Sequence, residues 1–223
     1  MSALFCALAY VTMFVFRIRV AGFLTFDAKD AIITLSGLLF GPLSSLAISL
    51  TVAFIEMISV STTGLWGFLM NFLASATFSC TAALIYKYKH NIKGAILGLF
   101  CSIFSTTAVM LLLNLLITPL YTGSNTAAIA AMIPTILFPF NLTKAVLNAS
   151  LVLVLYKPIS RAMKATGIVK MPDHHKKVEL TVEERKRKRR LNFIVFGIGA
   201  LLIAASVLVF VFILGGNIKF FDK

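Results

Sequence analysis

Residues 94–117 of this 223-residue chain have the sequence GAILGLFCSIFSTTAVMLLLNLLI, which contains no charged side chain. The hydrocarbon core of a bilayer is about 30 Å thick and is crossed by roughly 20 apolar residues of helix. Because unpaired backbone polar groups cannot face lipid, an apolar run of this length predicts a transmembrane helix. The stretch therefore indicates an integral membrane protein.

The composition of the whole chain agrees with this interpretation. Hydrophobic residues make up 59% of the chain and charged residues 13%, with a mean hydropathy of +0.96. The 21 Lys and Arg residues exceed the 8 Asp and Glu residues, and in a membrane protein such an excess orients the loops rather than binding nucleic acid. The three cysteines lie singly in apolar runs, which favours neither a disulfide framework nor a metal site.

Further apolar runs predict an all-α membrane protein with seven spans, the second of them short. They cover residues 2–16, 31–40, 43–60, 65–86, 94–117, 133–156 and 191–214. Turn-forming residues separate them at 41–42, 62–64, 87–91 and 122–125. No basic residues precede the first run and charged residues follow it, so we expect a retained helix rather than a cleaved signal peptide.

The distribution of basic residues predicts the orientation. With a cytoplasmic N-terminus, fifteen Lys and Arg residues lie in inner segments, five in outer segments, and Lys144 within a span. The loops 17–30 and 118–135 then face the exterior. We expect a captured solute to enter from that side.

Three parts make up the predicted organisation: a membrane domain over 1–160, a basic cytoplasmic linker over 161–190, and a last span with a short tail over 191–223. The linker ends in RKRKRR at 185–190. We interpret it as a topology anchor that also touches anionic lipid, with binding to RNA or to a protein tail as the alternative. The adjacent His174 and His175 lack a ligand set, so no metal site is predicted.

Polar side chains within the spans are candidates for function, because a charge at a helix centre costs about 2.5–3.5 kcal/mol on insertion. The candidates in spans are Glu56, Asn71, Asn114, Asn141, Lys144 and Asn148. The i, i+3, i+7 spacing places Asn141, Lys144 and Asn148 on one helical face, and Pro139 bends or starts that helix. The cluster predicts a ligand site. The alternative is that the asparagines join helices and Lys144 pairs with Glu56.

Several polar and aromatic residues at or near the predicted outer ends of the spans have more than one possible role. Asp27 can cap a helix and Asp30 can lie in its first turn, while Lys29 would pin the loop or reach a solute. Glu56 is either a snorkelling or lysine-paired carboxylate or a ligand contact. Trp66 either anchors at the interface or stacks on a flat ring. Asn71 and Asn114 are likewise either hydrogen-bonding partners between helices or ligand contacts.

Two further features concern catalysis and partners. The sequence contains no GxxxxGK[ST], HExxH or GxSxG motif, so neither an ATPase nor another enzyme is predicted. Ala3 and Ala7 form a small-xxx-small pair, which lets another helix approach closely.

Together these segments resemble a known family. Besides the Ala3 and Ala7 pair, the resemblance lies in LTFDAKD at 24–30, LFGPL at 39–43, TGLWGFLMNF at 63–72 and PFNLTK at 139–144. The chain closely resembles, over about residues 1–164, the riboflavin-binding S component of energy-coupling-factor (ECF) transporters.

The resemblance implies a six-helix protein of the bacterial cell membrane that captures riboflavin from outside. It also implies a transmembrane coupling protein that grips the Ala3 and Ala7 face, and two cytoplasmic ATPases. Riboflavin is then a transported substrate and no cofactor is expected. The family has a charged segment before its first helix and ends after six, so the resemblance implies a truncated or misassigned start and an additional last span.

Flavin chemistry then suggests roles for individual residues. The pyrimidine edge of the ring offers an N–H between two carbonyls, which an amide and an ammonium group can bind. Asn141, Lys144 and Asn114 are the first choices for the ring and Asn148 the second. The ribityl hydroxyls would point toward Asp27 and Lys29, and the ring faces would contact Trp66, Phe138 and Phe140. Alternatives are a different vitamin or flavin analogue, and a membrane scaffold that recruits a partner through the linker.

Overall fold

The computed structural model describes residues 2–21, 24–165 and 182–212. In this part of the chain the elements are α1 (Ser2–Val15), β1 (Ile18–Ala21), β2 (Leu24–Phe26), α2 (Lys29–Phe40), α3 (Pro42–Ser59), α4 (Gly64–Tyr88), α5 (Ile92–Thr122), α6 (Thr126–Met132), a π-helical turn (Ile133–Leu137), α7 (Phe138–Ala165) and α8 (Val182–Phe212). The fold is thus a helical membrane bundle, as the sequence predicts.

Helix boundaries fall where the turn-forming residues predict them. Gly41 has a φ of 98° and lies between α2 and Pro42, which occupies the first turn of α3. Asn91 caps α5 by accepting a backbone N–H at 2.7 Å, and Gly123 ends α5 in the left-handed conformation with φ of 68°. The side chain of Asn125 caps α6 in the same way.

The second predicted span is an internal helix. α2 has 12 residues, of which ten are buried, and it packs against α1, α3, α4 and α7. At 1.5 Å per residue a helix of this length rises about 18 Å, which is too short to cross a bilayer. Among the described residues, four helical segments are long and apolar enough to do so: Pro42–Ser59, Gly64–Tyr88, Ile92–Thr122 and Thr126–Ala162. The apolar helices Ser2–Val15 and Phe193–Val209 are shorter.

The loops 17–30 and 118–135 contain structure that the sequence did not predict. Strands β1 and β2 form an antiparallel hairpin in which Ile18 pairs with Phe26 and Arg19 with Thr25. α6 lies within the predicted loop 118–135, followed by the π-helical turn. Strands of four and three residues are too short to show a clear alternation in sequence. The hairpin places Asp27 at the start of α2.

The last helix packs along α7. A Cβ atom at the buried Gly199 of α8 would lie 2.9 Å from Val154 Cγ2 of α7, so the two helices approach closely there. α7 continues to Ala165 and α8 begins at Val182, so helix extends into both ends of the predicted linker. His174 and His175 lie outside the described residues.

Candidate functional site

A cavity between the helices is lined by residues of α2, α3, α4, α5 and α7 and by the hairpin. It encloses about 100 Å³. The predicted contacts that line it are Glu56, Asn71, Asn114, Phe140, Asn141, Lys144 and Asn148. Asp27 and Lys29 do not line it and are 2% and 1% exposed. Trp66 and Phe138 lie outside its wall and are 38% and 45% exposed.

Asn141, Lys144 and Asn148 share the cavity face of α7, as their spacing predicts. Nδ2 of Asn141 donates to the Leu137 carbonyl at 2.8 Å, a contact within the same helix segment. Among the described residues, Asn141 Oδ1 accepts no hydrogen bond. One amide oxygen therefore remains available at the cavity wall.

Lys144 is oriented by an ion pair with the hairpin segment. Its Nζ donates to Asp27 Oδ2 at 2.9 Å and to the Thr25 carbonyl at 3.4 Å. An ammonium group has three donors, so one remains for a ligand. The predicted alternative, in which Lys144 pairs with Glu56, is wrong because Lys29 occupies that carboxylate.

Lys29 and Glu56 form a buried pair between α2 and α3. Lys29 Nζ donates to Glu56 Oε2, and Asp27 Oδ2 lies 3.9 Å from the same ammonium group. Glu56 is 3% exposed, so it is a lysine-paired carboxylate and not a snorkelling one. We call these residues the ion cluster, which has four members: Asp27, Lys29, Glu56 and Lys144. It joins the hairpin to α2, α3 and α7.

Asp27 does not cap α2, in contrast to the prediction. The N-cap residue is Ala28, and no side chain accepts a cap hydrogen bond there. Burial would raise the pKa of the Asp27 carboxyl, but the ammonium groups of Lys144 and Lys29 hold it below its usual range. Asp27 is therefore a carboxylate that positions the two lysines. Asp30 does lie in the first turn of α2, as predicted.

Asn148 fastens the start of α2 to α7. Its Oδ1 accepts from the Ala31 backbone N–H at 3.0 Å, and its Nδ2 donates to the carbonyls of Asp27 at 3.3 Å and Lys144 at 3.1 Å. Both amide hydrogens are thus used within the chain. This geometry fits the alternative in which an asparagine joins helices.

The other two asparagines differ from each other. Asn114 Nδ2 donates to the Met110 carbonyl at 2.7 Å and its Oδ1 accepts from Thr118 Oγ1 at 3.1 Å. Both partners lie on α5, so Asn114 does not join two helices. The side chain of Asn71, on α4, makes no hydrogen bond with the described residues, and its whole amide is available at the cavity.

The cavity wall also includes Thr106 and Arg17, which the sequence analysis did not name as candidates, and Asp30, which it placed in the first turn of α2. Thr106 Oγ1 and Arg17 Nε are buried there without a hydrogen-bond partner among the described residues. Asp30 faces the cavity and accepts a hydrogen bond from Ser75 Oγ. Threonine in a membrane helix usually satisfies its hydroxyl on its own backbone, so its presence in the sequence carries little signal. Within the described ranges, no group of His, Cys, Asp and Glu could hold a metal ion.

The first helix presents the predicted small residues outward. Ala3 and Ala7 are exposed, whereas Phe5, Ala9 and Met13 are buried against the bundle. The surface formed by Ala3 and Ala7 is therefore available to another helix.

A helical membrane bundle with a polar cavity between its helices is typical of the solute-binding component of a transporter. The family model of the ECF transporter, substrate-specific component, matches residues 1–156. The riboflavin transporter RibU of Staphylococcus aureus (strain TCH60) is 31% identical over 148 residues, covering 64% of this chain and 78% of that protein. A solved S component of a bacterial ECF transporter is similar with a TM-score of 0.63 at 26% identity, covering 73% of this chain and 95% of that one.

The chain belongs to the family of ECF transporter substrate-specific components. It is a multi-pass membrane protein and a transporter component, not an enzyme. These matches confirm the resemblance drawn from the sequence motifs and the predicted fold class. The family match ends at residue 156, before α8 begins.

Proposed function

We propose that this protein is the riboflavin-binding subunit of an ATP-driven ECF importer. The similarity to RibU supports the choice of vitamin. The protein would take riboflavin from the exterior, with its N-terminus in the cytoplasm of a bacterial cell. Riboflavin is the transported substrate in this proposal, and no cofactor is involved.

The observation that carries the proposal is unused hydrogen-bonding capacity on the cavity wall. The available groups are the Asn71 amide, Asn141 Oδ1, the Thr106 hydroxyl and one hydrogen of Lys144. Thr106 Oγ1 is buried without a hydrogen-bond partner among the described residues, and the amides of Asn71 and Asn141 present further unused groups beside it, which supports a polar ligand at this wall. The flavin N–H can donate to Asn141 Oδ1, and the flanking carbonyls can accept from Lys144 and Asn71.

Apolar side chains complete the proposed ring site. Phe78, Met110 and Phe140 line the same cavity and can contact the ring faces and its dimethylbenzene edge. The cavity of about 100 Å³ is smaller than the roughly 300–1,000 Å³ typical of ligand pockets. Binding therefore requires the surrounding side chains to move apart.

We do not place the ribityl hydroxyls of riboflavin at Asp27 and Lys29, where the sequence analysis expected them. Asp27 and Lys29 are buried in the ion cluster behind the cavity wall. Ser61, Thr62 and Thr63, between α3 and α4, line the cavity and carry hydroxyl groups. We assign the ribityl hydroxyls to these residues. Trp66 and Phe138 have no role in this assignment, because neither lines the cavity.

Transport requires partners that supply energy. We assign the exposed Ala3 and Ala7 surface to a transmembrane coupling protein, because two small residues one turn apart permit close helix contact. Two cytoplasmic ATPases would complete the importer. The absence of a phosphate-binding loop motif from the sequence fits this division of labour.

A binding titration tests the proposal. The full chain, purified in detergent and freed of bound flavin, is titrated with riboflavin while the flavin fluorescence is followed. We expect saturable quenching with one site per chain, unaffected by excess thiamine or biotin. Competition by one of these vitamins would favour an S component for another vitamin, and a protein that binds no riboflavin would overturn the proposal.

A further inference from the structure

We propose that a crevice between α7 and α8 binds the headgroup of an anionic phospholipid. The crevice encloses about 430 Å³. Lys157 and Arg161 line it from α7, and Phe193 and Phe196 from α8. It is separate from the proposed ring site, and the proposal does not rest on riboflavin binding.

Close helix packing fixes the position of the crevice. Gly199 lies beside Val154, and Val195 lies beside Lys157, so α7 and α8 run antiparallel. By this register Arg190 of α8 lies at the level of Arg161 of α7, and both are exposed. The end of α7 and the start of α8 therefore bring their basic residues to the same end of the helix pair.

The charge at this end suits a phosphate group. Arg161 and Arg190 lie at the same level of the helix pair and are exposed, while Lys157 lines the crevice with its Nζ buried. The sequence before Arg190 continues the basic run over 185–190. The planar guanidinium group binds phosphate oxygens through paired hydrogen bonds. Basic residues at the membrane surface attract anionic lipids in general, and here two of them line a crevice.

The aromatic residues favour a lipid over a soluble polyanion. Phe193 and Phe196 are 81% and 54% exposed, and they begin the apolar segment Phe193–Val209. Acyl chains below a bound headgroup would cover these rings. The crevice therefore adjoins the apolar part of the helix pair, where a headgroup and its acyl chains can be bound together.

Native mass spectrometry of the full chain in detergent tests the proposal. The protein is mixed with equal amounts of phosphatidylglycerol and phosphatidylcholine that carry the same acyl chains. We expect at least threefold more phosphatidylglycerol to be retained. The double variant K157Q/R161Q should retain the two lipids equally, whereas K87Q/K89Q, which loses the same charge at the end of α4, should keep the preference.

Three results would overturn the proposal. Equal retention of both lipids by the unmodified protein would do so, and this comparison needs no variant to fold. An unchanged preference in K157Q/R161Q would place the lipid elsewhere. An equal loss in K87Q/K89Q would show that net charge alone causes the preference. Each variant should elute from gel filtration as a single symmetric peak, which establishes that its fold is retained.

Discussion

Asn148 Oδ1 accepts a hydrogen bond from the backbone N–H of Ala31 at 3.0 Å, which joins α7 to the first turn of α2 across 117 positions of sequence. The same amide donates to the carbonyls of Asp27 and Lys144. Beside it, the ion cluster joins the hairpin to three helices. The cavity wall is thus held by contacts that a ligand need not supply.

Asn148→Ala should destabilise the protein more than it weakens riboflavin binding. The change leaves the buried Ala31 backbone N–H and the Asp27 carbonyl without this partner, and an unsatisfied buried group costs about 1–3 kcal/mol. We expect a lower midpoint of thermal unfolding in detergent. Ser124→Ala, at an exposed position between α5 and α6, is the control. A large loss of affinity with an unchanged midpoint would instead make Asn148 a direct ligand contact.

Lys29→Met should be strongly destabilising, by about 3–5 kcal/mol, because it leaves Glu56 as a buried charge without its partner. The double variant Lys29→Met/Glu56→Gln removes both charges and should recover much of this loss. Thermal unfolding of the unmodified protein, both single variants and the double variant measures the coupling. Additive effects of the two substitutions would contradict the proposed pairing.

Lys144→Met should lower riboflavin affinity at least tenfold, because the ring loses a charged donor worth about 1.5–3 kcal/mol. The change also leaves the buried Asp27 without its closest ammonium group. Lys144→Met/Asp27→Asn should therefore regain stability without regaining affinity. Lys89→Met, at an exposed position, is the matched control. If the double variant bound riboflavin normally, Lys144 would have only a structural role.

Asn71→Ala should weaken binding without destabilising the fold. Its amide makes no hydrogen bond with the described residues, so its removal breaks no contact among them. Loss of one hydrogen bond to the ligand, about 0.5–1.5 kcal/mol, corresponds to a two- to twelvefold rise in Kd. Fluorescence titration measures this change, and an unaltered Kd would remove Asn71 from the proposed site.

Ala3→Leu/Ala7→Leu should leave riboflavin binding intact but abolish uptake by cells, because the bulkier side chains keep the coupling protein at a distance. Ala127→Leu/Ala131→Leu, at two exposed alanines with the same spacing at α6, is the control. Normal uptake by the double variant would show that Ala3 and Ala7 serve only packing or lipid contact.

The sequence predicted much of the fold because its signals are local. Long apolar runs and turn residues such as Gly41, Asn91 and Gly123 determine helices near where they occur. The helical spacing of Asn141, Lys144 and Asn148 likewise determines that they share a face. Motif resemblance added the family and hence the expected cavity.

The partners of the buried charges were not predictable in this way. Lys29 and Lys144 are both long basic side chains near Glu56, and only the three-dimensional position of α2 decides that Lys29 takes this carboxylate. The hairpin, whose strands are very short, then brings Asp27 to Lys144. The same dependence on tertiary structure explains why Trp66 and Phe138, both plausible aromatic contacts by type, lie outside the cavity wall.

A structure of the protein purified with riboflavin tests the central claim most directly. We expect the ring in the cavity between α4, α5 and α7, with its pyrimidine edge within hydrogen-bond distance of Asn141 Oδ1 and Lys144 Nζ, and with the Lys144 to Asp27 pair retained. A flavin bound elsewhere, or one that leaves Asn141 and Lys144 without a contact to it, would contradict the account.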